Sequence, residues 1–308
     1  MPAALFSSAF QKFDEWRPAL LEQLPDLDLR QWPDVGDPAD IDVLLVWAPP
    51  EGALVYPNLK LVQCLGAGVD HLVSLPIPAR VQLARLIDQY QVEGFVHFVL
   101  AAVLGAHRDL HRYRISQSHA AWQPRRRIQA KDRAVGVMGL GEMGGSAAAA
   151  VARLGFQVRG WSRGEKQVDG VEVFHGAPAL GRFLNGVDIL ICALPLTAET
   201  RDILNAAVFD QLAPGAYVIN VGRGGHCNEP DLIEAVNSGR LSGAFLDVAA
   251  VEPLDPGSPL WRTPGIDVTP HMATTQVAAS AAAAAARNIL RVRAGQVPVG
   301  LVDRQRNY

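Results

Sequence analysis

The chain has 308 residues, of which 49% are hydrophobic and 19% are charged. This globular composition excludes a disordered or fibrous protein and, at about 150 residues per domain, predicts two domains. With 28 basic and 31 acidic residues the net charge is -3, so no excess positive charge favours nucleic acid as a partner. Three widely spaced cysteines form neither a disulfide framework nor a zinc pattern, and we expect a cytoplasmic protein.

The N-terminal part of the chain alternates strand-like and helix-like segments. An amphipathic helix is predicted at 10–24, and strands are predicted at 3–8, 42–47, 59–65 and 81–87. Because most of these strand segments are apolar without polar alternation, they are typical of a parallel sheet that is covered on both faces.

A long helix from Val92 to Arg112 is predicted next, and its apolar run should be largely buried. Residues 95–106 form the longest strongly apolar stretch, which is too short to span a bilayer. The segment 113–133 is polar and basic and carries Trp122. We predict that it is irregular and exposed, as an arm or linker that packs on a partner subunit.

Strand-like and helix-like segments alternate again from Ala134 to His271. This alternation predicts a doubly wound parallel sheet. The predicted strands are 134–138, 157–161, 171–174, 188–194, 216–221, 243–248 and 266–269. The alanine-rich stretch 275–294 is predicted to be a C-terminal helix.

One glycine motif, Gly139-Leu-Gly141-Glu-Met-Gly144, matches the dinucleotide-binding pattern G-x-G-x-x-G. It follows an apolar strand and opens an alanine-rich helix, which is the context that the pattern requires. The first glycine permits a tight turn, the second admits a pyrophosphate, and the third allows close helix packing. A tight turn without a ligand is the alternative.

The next predicted strand ends in Trp161-Ser162-Arg163. NAD sites usually place a carboxylate here to bind the ribose 2′-hydroxyl, and this strand end has none. A guanidinium beside a hydroxyl suits a 2′-phosphate. The sequence therefore predicts NADP(H) rather than NAD(H), with a solvated loop arginine as the alternative.

Three polar residues follow later strands of the same predicted sheet, namely Arg223, Glu252 and His271. Carboxyl ends of parallel strands face one ligand crevice, so we expect these side chains to meet. A histidine can protonate a carbonyl oxygen that receives a hydride, and a buried glutamate beside it would favour imidazolium. An arginine binds a carboxylate or polarises a carbonyl. Taken singly, each residue could instead be an ordinary loop side chain.

Together these motifs resemble the D-isomer-specific 2-hydroxyacid dehydrogenase family over nearly the whole chain. The resemblance implies two α/β domains with Rossmann-like or flavodoxin-like parallel sheets. It implies a nucleotide-binding domain at 94–274, with a dimerisation arm at 106–130, inserted into a substrate domain made of 1–93 and 275–308. The motifs that carry it are 139–144, 221–225, 247–253 and 269–273, with 45–50, 65–71, 161–163 and 258–262.

The resemblance also implies a reaction, which is the NADPH-dependent reduction of a small 2-oxo acid such as glyoxylate or hydroxypyruvate. A homodimer is the implied assembly. A dehydrogenase for another D-2-hydroxyacid is one alternative, and a non-catalytic dinucleotide-sensing protein on the same fold is another. His226 and Cys227 lack further ligands at usable spacing, so we expect no metal.

The site residues that the resemblance implies fall into three groups. His271 resembles the acid/base residue, Glu252 its partner, and Arg223 the substrate-binding arginine. The main-chain amides of Ala67 and Gly68 resemble a loop for the substrate carboxylate, and Trp47 resembles a pocket wall, although an ordinary turn and a core tryptophan are alternatives. The residues expected to bind the cofactor are Gly139, Gly141, Glu142, Met143, Gly144, Trp161, Ser162, Arg163, Leu194, Pro195, Thr200, Val221, Gly222, Asp247 and His271. Asp247 could instead cap local backbone.

Overall fold

The computed structural model describes residues 2–274 and 276–306. It divides into two compact units, one from residues 1–91 with 276–308 and one from residues 92–275. Each unit contains a parallel sheet with helices, so the predicted α/β fold class with two parallel-sheet domains is confirmed. The predicted C-terminal segment 275–308 has Thr275, Asn307 and Tyr308 outside the described residues.

Within its described residues, the sheet of the first unit has five parallel strands. They are β1 (Ala3–Ser7), β2 (Asp28–Gln31), β3 (Ile41–Val46), β4 (Leu61–Cys64) and β5 (Gln82–Ala84). Their spatial order is β2-β1-β3-β4-β5, which is the flavodoxin-like order. The helices are α1 (Phe13–Gln23), α2 (Asp70–Val73) and α9 (Ala278–Arg293). Helices α1 and α9 share one core with the sheet, in which Trp16 and Leu20 meet Ala285 and Ile289.

The described part of the second unit, residues 92–274, has a sheet of seven parallel strands. They are β6 (Ala134–Met138), β7 (Gln157–Ser162), β8 (Val171–His175), β9 (Ile189–Cys192), β10 (Ala216–Asn220), β11 (Leu241–Leu246) and β12 (Ile266–Val268). Their spatial order is β12-β11-β10-β9-β6-β7-β8. The chain reverses direction across the sheet between β6 and β9, and open α/β sheets bind ligands at such a point.

Helices cover both faces of the second sheet. They are α3 (Gln89–His107), α4 (Leu110–Ser118), α5 (Glu142–Arg153), α6 (Leu180–Leu184), α7 (Ala206–Phe209) and α8 (Glu229–Asn237). One core contains Val99, Val103 and Val151, and the other contains Phe183, Phe209 and Leu232. Among the described residues, no helix has both the length and the apolarity that a membrane crossing needs.

The prediction of one helix from Val92 to Arg112 is wrong about where that helix ends. Helix α3 ends at His107, and Asp109 has a left-handed φ of 55° before α4 begins. Because α4 continues to Ser118, the segment 113–133 is helical at its start rather than irregular throughout. Its middle has no regular structure, and Trp122 there is 98% exposed.

His111 of α4 is buried against Tyr217, with ring centroids 4.6 Å apart. Burial, together with the positive charges of Arg112 and Arg114, lowers the pKa of His111 to about 4. Between about pH 6.5 and pH 4, His111 therefore binds a proton in the unfolded chain but stays neutral in the folded protein. Neutral His111 therefore makes its full contribution to the free energy of unfolding above about pH 6.5, and this contribution is lost as the pH falls towards 4.

We expect that lowering the pH from 8 to 5 destabilises the protein by about 2 kcal/mol through His111 alone. His111→Phe, which keeps an aromatic ring but has no titratable group, should lose that part of the pH dependence. Denaturant unfolding at both pH values measures it. His97→Gln is the control, since His97 is a histidine with a 69% exposed side chain. A variant that is as pH-sensitive as the wild type would contradict the assignment.

Candidate functional site

The glycine loop at residues 139–144 joins β6 to α5 in the second unit. Gly139 has a φ of 97°, and a Cβ there would lie 2.6 Å from the Ala193 carbonyl oxygen. A Cβ on Gly144 would overlap the Gly139 carbonyl oxygen, whereas a Cβ on Gly141 would meet no described atom within 4 Å. Two glycines are thus required by the fold itself, and the middle one borders open space at a helix N-terminus. This cradle fits a pyrophosphate.

Two substitutions in this loop should separate the role of the fold from that of the ligand. Gly144→Ala places a methyl group on the Gly139 carbonyl, so we expect lower stability by about 1–3 kcal/mol. Gly141→Ala has room in the protein and should keep the wild-type melting temperature while weakening NADPH binding. Thermal unfolding and calorimetric titration measure the two effects. Equal losses of stability in both variants would contradict this division.

The residues predicted to bind adenosine differ in what they contact. The Trp161 indole is buried and donates to the Gly176 carbonyl at 2.9 Å, and the Ser162 hydroxyl donates to the Gly164 carbonyl at 2.7 Å. Arg163 has a side chain that is 44% exposed and lies 3.0 Å from Glu199. Of the three residues predicted at this strand end, Trp161 and Ser162 are therefore buried, whereas Arg163 is partly exposed.

The loop after β9 is held in shape by Thr200. Its hydroxyl donates to the Pro195 carbonyl at 2.7 Å and accepts from the Thr197 amide at 2.8 Å. Leu194 is buried beside this loop. Thr200 thus fixes the loop that follows β9, while Glu142 and Met143 lie on the first turn of α5.

The carboxyl ends of β10, β11 and β12 lie side by side. Asn220 pairs with Leu246, and Leu246 pairs with Val268. A Cβ on Gly224 would overlap the Ala249 carbonyl, so the loops after β10 and β11 are in contact. The register therefore brings the segments that carry Arg223, Glu252 and His271 to one edge of the sheet.

His271 and Glu252 form a direct pair. The imidazole Nδ1 lies 2.8 Å from Glu252 Oε2, and Glu252 Oε1 accepts from the Ala249 amide at 3.0 Å. A carboxylate can only accept, so Nδ1–H donates and Nε2 is left to exchange a proton. The assumption of a buried glutamate is wrong, because the side chain of Glu252 is 39% exposed and that of His271 is 41% exposed.

Asp247 holds the loop that presents His271. Its buried carboxylate accepts from the Thr269 hydroxyl at 2.7 Å and from the amides of Met272 and Ala273, each at 2.8 Å. The His271 amide also donates to the Asp247 carbonyl at 2.8 Å. The loop keeps His271 at a φ of 52°, a left-handed conformation that glycine adopts most easily. Asp247 thus fixes local backbone.

The main chain of Arg223 is held by two buried residues, Asn220 and His226, that the sequence analysis did not assign to the site. The Asn220 amide donates to the Arg223 carbonyl at 3.0 Å, and His226 Nδ1 accepts from the Arg223 amide at 3.0 Å. The guanidinium donates to the Gly222 carbonyl at 2.9 Å, and Val221, two positions before Arg223, is buried. A buried asparagine directly at a strand end is the signal that could have found Asn220.

In the first unit, the loop after β4 carries the predicted substrate-binding amides. Neither the Ala67 nor the Gly68 amide donates a hydrogen bond to any residue in 2–274 or 276–306. Trp47 is partly exposed and stacks on His71, with ring centroids 4.3 Å apart and an interplanar angle of 18°. His71 Nε2 also bonds the Trp47 carbonyl at 2.7 Å. Trp47 is thus neither a core tryptophan nor a free surface one.

Cys227 lies deep in the protein beside His226, and burial raises the pKa of its thiol strongly. Its environment disfavours the thiolate that metal binding requires. Within the described ranges, 2–274 and 276–306, no group of three or more histidine, cysteine, aspartate or glutamate side chains could hold a metal ion.

Comparisons with known proteins agree with this geometry. Residues 100–273 match the model of the D-isomer specific 2-hydroxyacid dehydrogenase, NAD binding domain. A curated relative from Serratia proteamaculans, glyoxylate/hydroxypyruvate reductase A, is 40% identical over 306 residues, 97% of each chain.

Two solved structures are also similar over the full length. A D-isomer specific 2-hydroxyacid dehydrogenase from Xanthobacter autotrophicus, in complex with NADPH and MES, superposes with a TM-score of 0.96 at 42% identity and covers 100% of this chain and 99% of that one. An NADPH-dependent glyoxylate/hydroxypyruvate reductase from Sinorhizobium meliloti, in complex with NADP and sulfate, gives a TM-score of 0.92 at 33% identity, with both chains covered completely.

A doubly wound sheet, a glycine cradle and a paired histidine at its carboxyl edge define an NAD(P)-dependent oxidoreductase. The chain belongs to the D-isomer-specific 2-hydroxyacid dehydrogenase family. The resemblance drawn from its motifs is therefore confirmed.

Proposed function

We propose that this protein uses NADPH to reduce small 2-oxo acids, such as glyoxylate or hydroxypyruvate, to 2-hydroxy acids. The observation that carries the proposal is the 2.8 Å pair of His271 with Glu252, at the same edge of the sheet as the glycine cradle. The names of the relatives from Serratia proteamaculans and Sinorhizobium meliloti support the substrates. The NADPH and NADP in two solved relatives support the cofactor.

In this proposal the second unit is the nucleotide-binding domain. The loop 139–144 holds the pyrophosphate, Arg163 the 2′-phosphate, and the loops at Leu194–Thr200 and Val221–Gly222 line the cofactor. Bound NADPH supplies the hydride for the carbonyl carbon. His271, held through Nδ1 by Glu252, delivers a proton from Nε2 to the carbonyl oxygen.

Substrate binding is proposed to draw on two kinds of donor. Arg223 offers its guanidinium to the substrate carboxylate and polarises the neighbouring carbonyl. The first unit is the proposed substrate domain, where the Ala67 and Gly68 amides bind an anion as adjacent main-chain donors do. Trp47, stacked on His71, is the proposed wall that limits the chain length of the substrate.

Absorbance of NADPH during incubation with 2-oxo acids of increasing length tests this function. We expect fastest turnover with glyoxylate or hydroxypyruvate and slower turnover with NADH. Turnover only with longer acids would favour a D-2-hydroxyacid dehydrogenase of another specificity. Cofactor binding without any turnover would favour the non-catalytic dinucleotide sensor instead.

We also propose a homodimer that is built through the arm at 106–130. Trp122 is 98% exposed, and Leu110 is 47% exposed beside an apolar cavity of about 180 Å³ that Phe98 and Tyr217 also line. This apolar exposure supports an interface at the arm. Sedimentation equilibrium of the wild type and of Trp122→Ala tests it, and a monomeric wild type would overturn it. We propose a cytoplasmic location, given the three free, buried thiols, and no nucleic-acid partner.

A further inference from the structure

An ion pair lies at the carboxyl end of β7, and the residues around that strand end do not predict it. Arg163 Nη2 and Glu199 Oε2 lie 3.0 Å apart, and their side chains are 44% and 77% exposed. Glu199 belongs to the loop after β9, 36 positions further along the chain. No carboxylate follows β7 directly, but the fold brings one to that place from another loop.

The two members of this pair have opposite preferences for a nucleotide. In a doubly wound sheet, the adenosine ribose lies at the end of the second strand, which is β7 here. A guanidinium attracts a 2′-phosphate, whereas a carboxylate repels it and accepts a hydrogen bond from a 2′-hydroxyl. Glu199 also takes up one of the donors that Arg163 would offer to the phosphate.

We propose that Glu199 determines cofactor specificity by limiting the preference for NADPH over NADH. Its carboxylate competes with the 2′-phosphate for Arg163, and it offers the acceptor that a 2′-hydroxyl needs. This inference rests on the proposed function, in which Arg163 binds the 2′-phosphate. The pair thus keeps NADH usable at a site whose strand end alone favours NADPH.

Equilibrium binding of two adenosine fragments tests the inference without turnover. Calorimetric titration of 2′,5′-ADP and of 5′-AMP into the wild type and Glu199→Gln gives the two dissociation constants. We expect Glu199→Gln to bind 2′,5′-ADP about threefold more tightly and 5′-AMP more weakly by a similar factor, as an exposed charge of this kind allows. The gain for 2′,5′-ADP should shrink at about 0.5 M salt, because screening weakens the repulsion that is removed.

Glu172→Gln is the matched control for the loss of charge. Glu172 is a 67% exposed carboxylate in the same unit, and it lies 3.6 Å from Arg159 rather than near Arg163. An equal gain in Glu172→Gln would overturn the inference in favour of a general effect of net charge. Unchanged or weaker binding of 2′,5′-ADP by Glu199→Gln would overturn it as well.

Arg163→Ala separates the inference from the proposed function. We expect this variant to lose affinity for 2′,5′-ADP but not for 5′-AMP. If Arg163→Ala binds 2′,5′-ADP as the wild type does, both the assignment of Arg163 and the inference fail. If Arg163→Ala loses affinity while Glu199→Gln gains none, the inference alone fails.

Discussion

Replacing His271 by alanine is expected to lower kcat for 2-oxo acid reduction by about 10²–10⁴-fold, the usual contribution of a general acid. The imidazole is held by Glu252 at 2.8 Å, and because the carboxylate acts as the acceptor in this pair, the imidazole is the member that donates. Binding of NADPH should fall far less than kcat, because the glycine cradle lies on another loop. Steady-state kinetics and calorimetric titration measure the two quantities.

Two further variants make this result specific. His271→Asn keeps a side chain that tolerates positive φ but supplies no proton, so it should be as inactive as His271→Ala. His175→Ala removes an exposed histidine at the end of β8 and should keep full activity. Near-normal turnover in either His271 variant would show that another group is the acid.

Replacing Arg223 by alanine is the second substitution that should strongly lower catalytic efficiency. We expect kcat/KM to fall by about 10²–10³-fold, since a preorganised donor acts on both the substrate and the developing charge. The KM for the 2-oxo acid should rise and kcat should fall together. Arg223→Lys should recover only part of the loss, because an ammonium lacks the planar fork that binds a carboxylate.

The control for Arg223 is Arg182→Ala, which removes an exposed arginine from α6 of the same unit. That variant should have wild-type constants. An unchanged KM in Arg223→Ala would show that this guanidinium does not bind the substrate carboxylate. A loss of NADPH affinity as large as the loss of kcat/KM would assign Arg223 to the cofactor instead.

Much of the fold could be predicted because its strands are apolar and buried. All five residues of β6 and all six of β3 are buried, and such runs stand out in a sequence. Strand β2 was missed, since its sequence Asp-Leu-Arg-Gln has no apolar pattern and it lies at the sheet edge. The break between α3 and α4 was missed because Asp109 adopts a left-handed conformation without a glycine or proline to mark it.

The part of the candidate site that could be predicted consists of polar side chains that directly follow predicted strands. Arg223, Glu252 and His271 each follow a predicted strand, and parallel strands align their carboxyl ends. What holds these residues could not be predicted, since the bond of Asn220 to the Arg223 carbonyl depends on loop conformation. The approach of Glu199 to Arg163 depends on the path of a loop that no local pattern encodes.

Because His271 has a left-handed backbone conformation, the residue that is best for thermal stability at this position differs from the residue that is best for turnover. Glycine would adopt that conformation with less strain than histidine, so a search for heat-resistant variants should enrich glycine at position 271. Every such clone would be inactive under the proposed mechanism. Directed evolution of this protein therefore needs an activity screen at each round, because selection for survival at high temperature alone would favour loss of the acid.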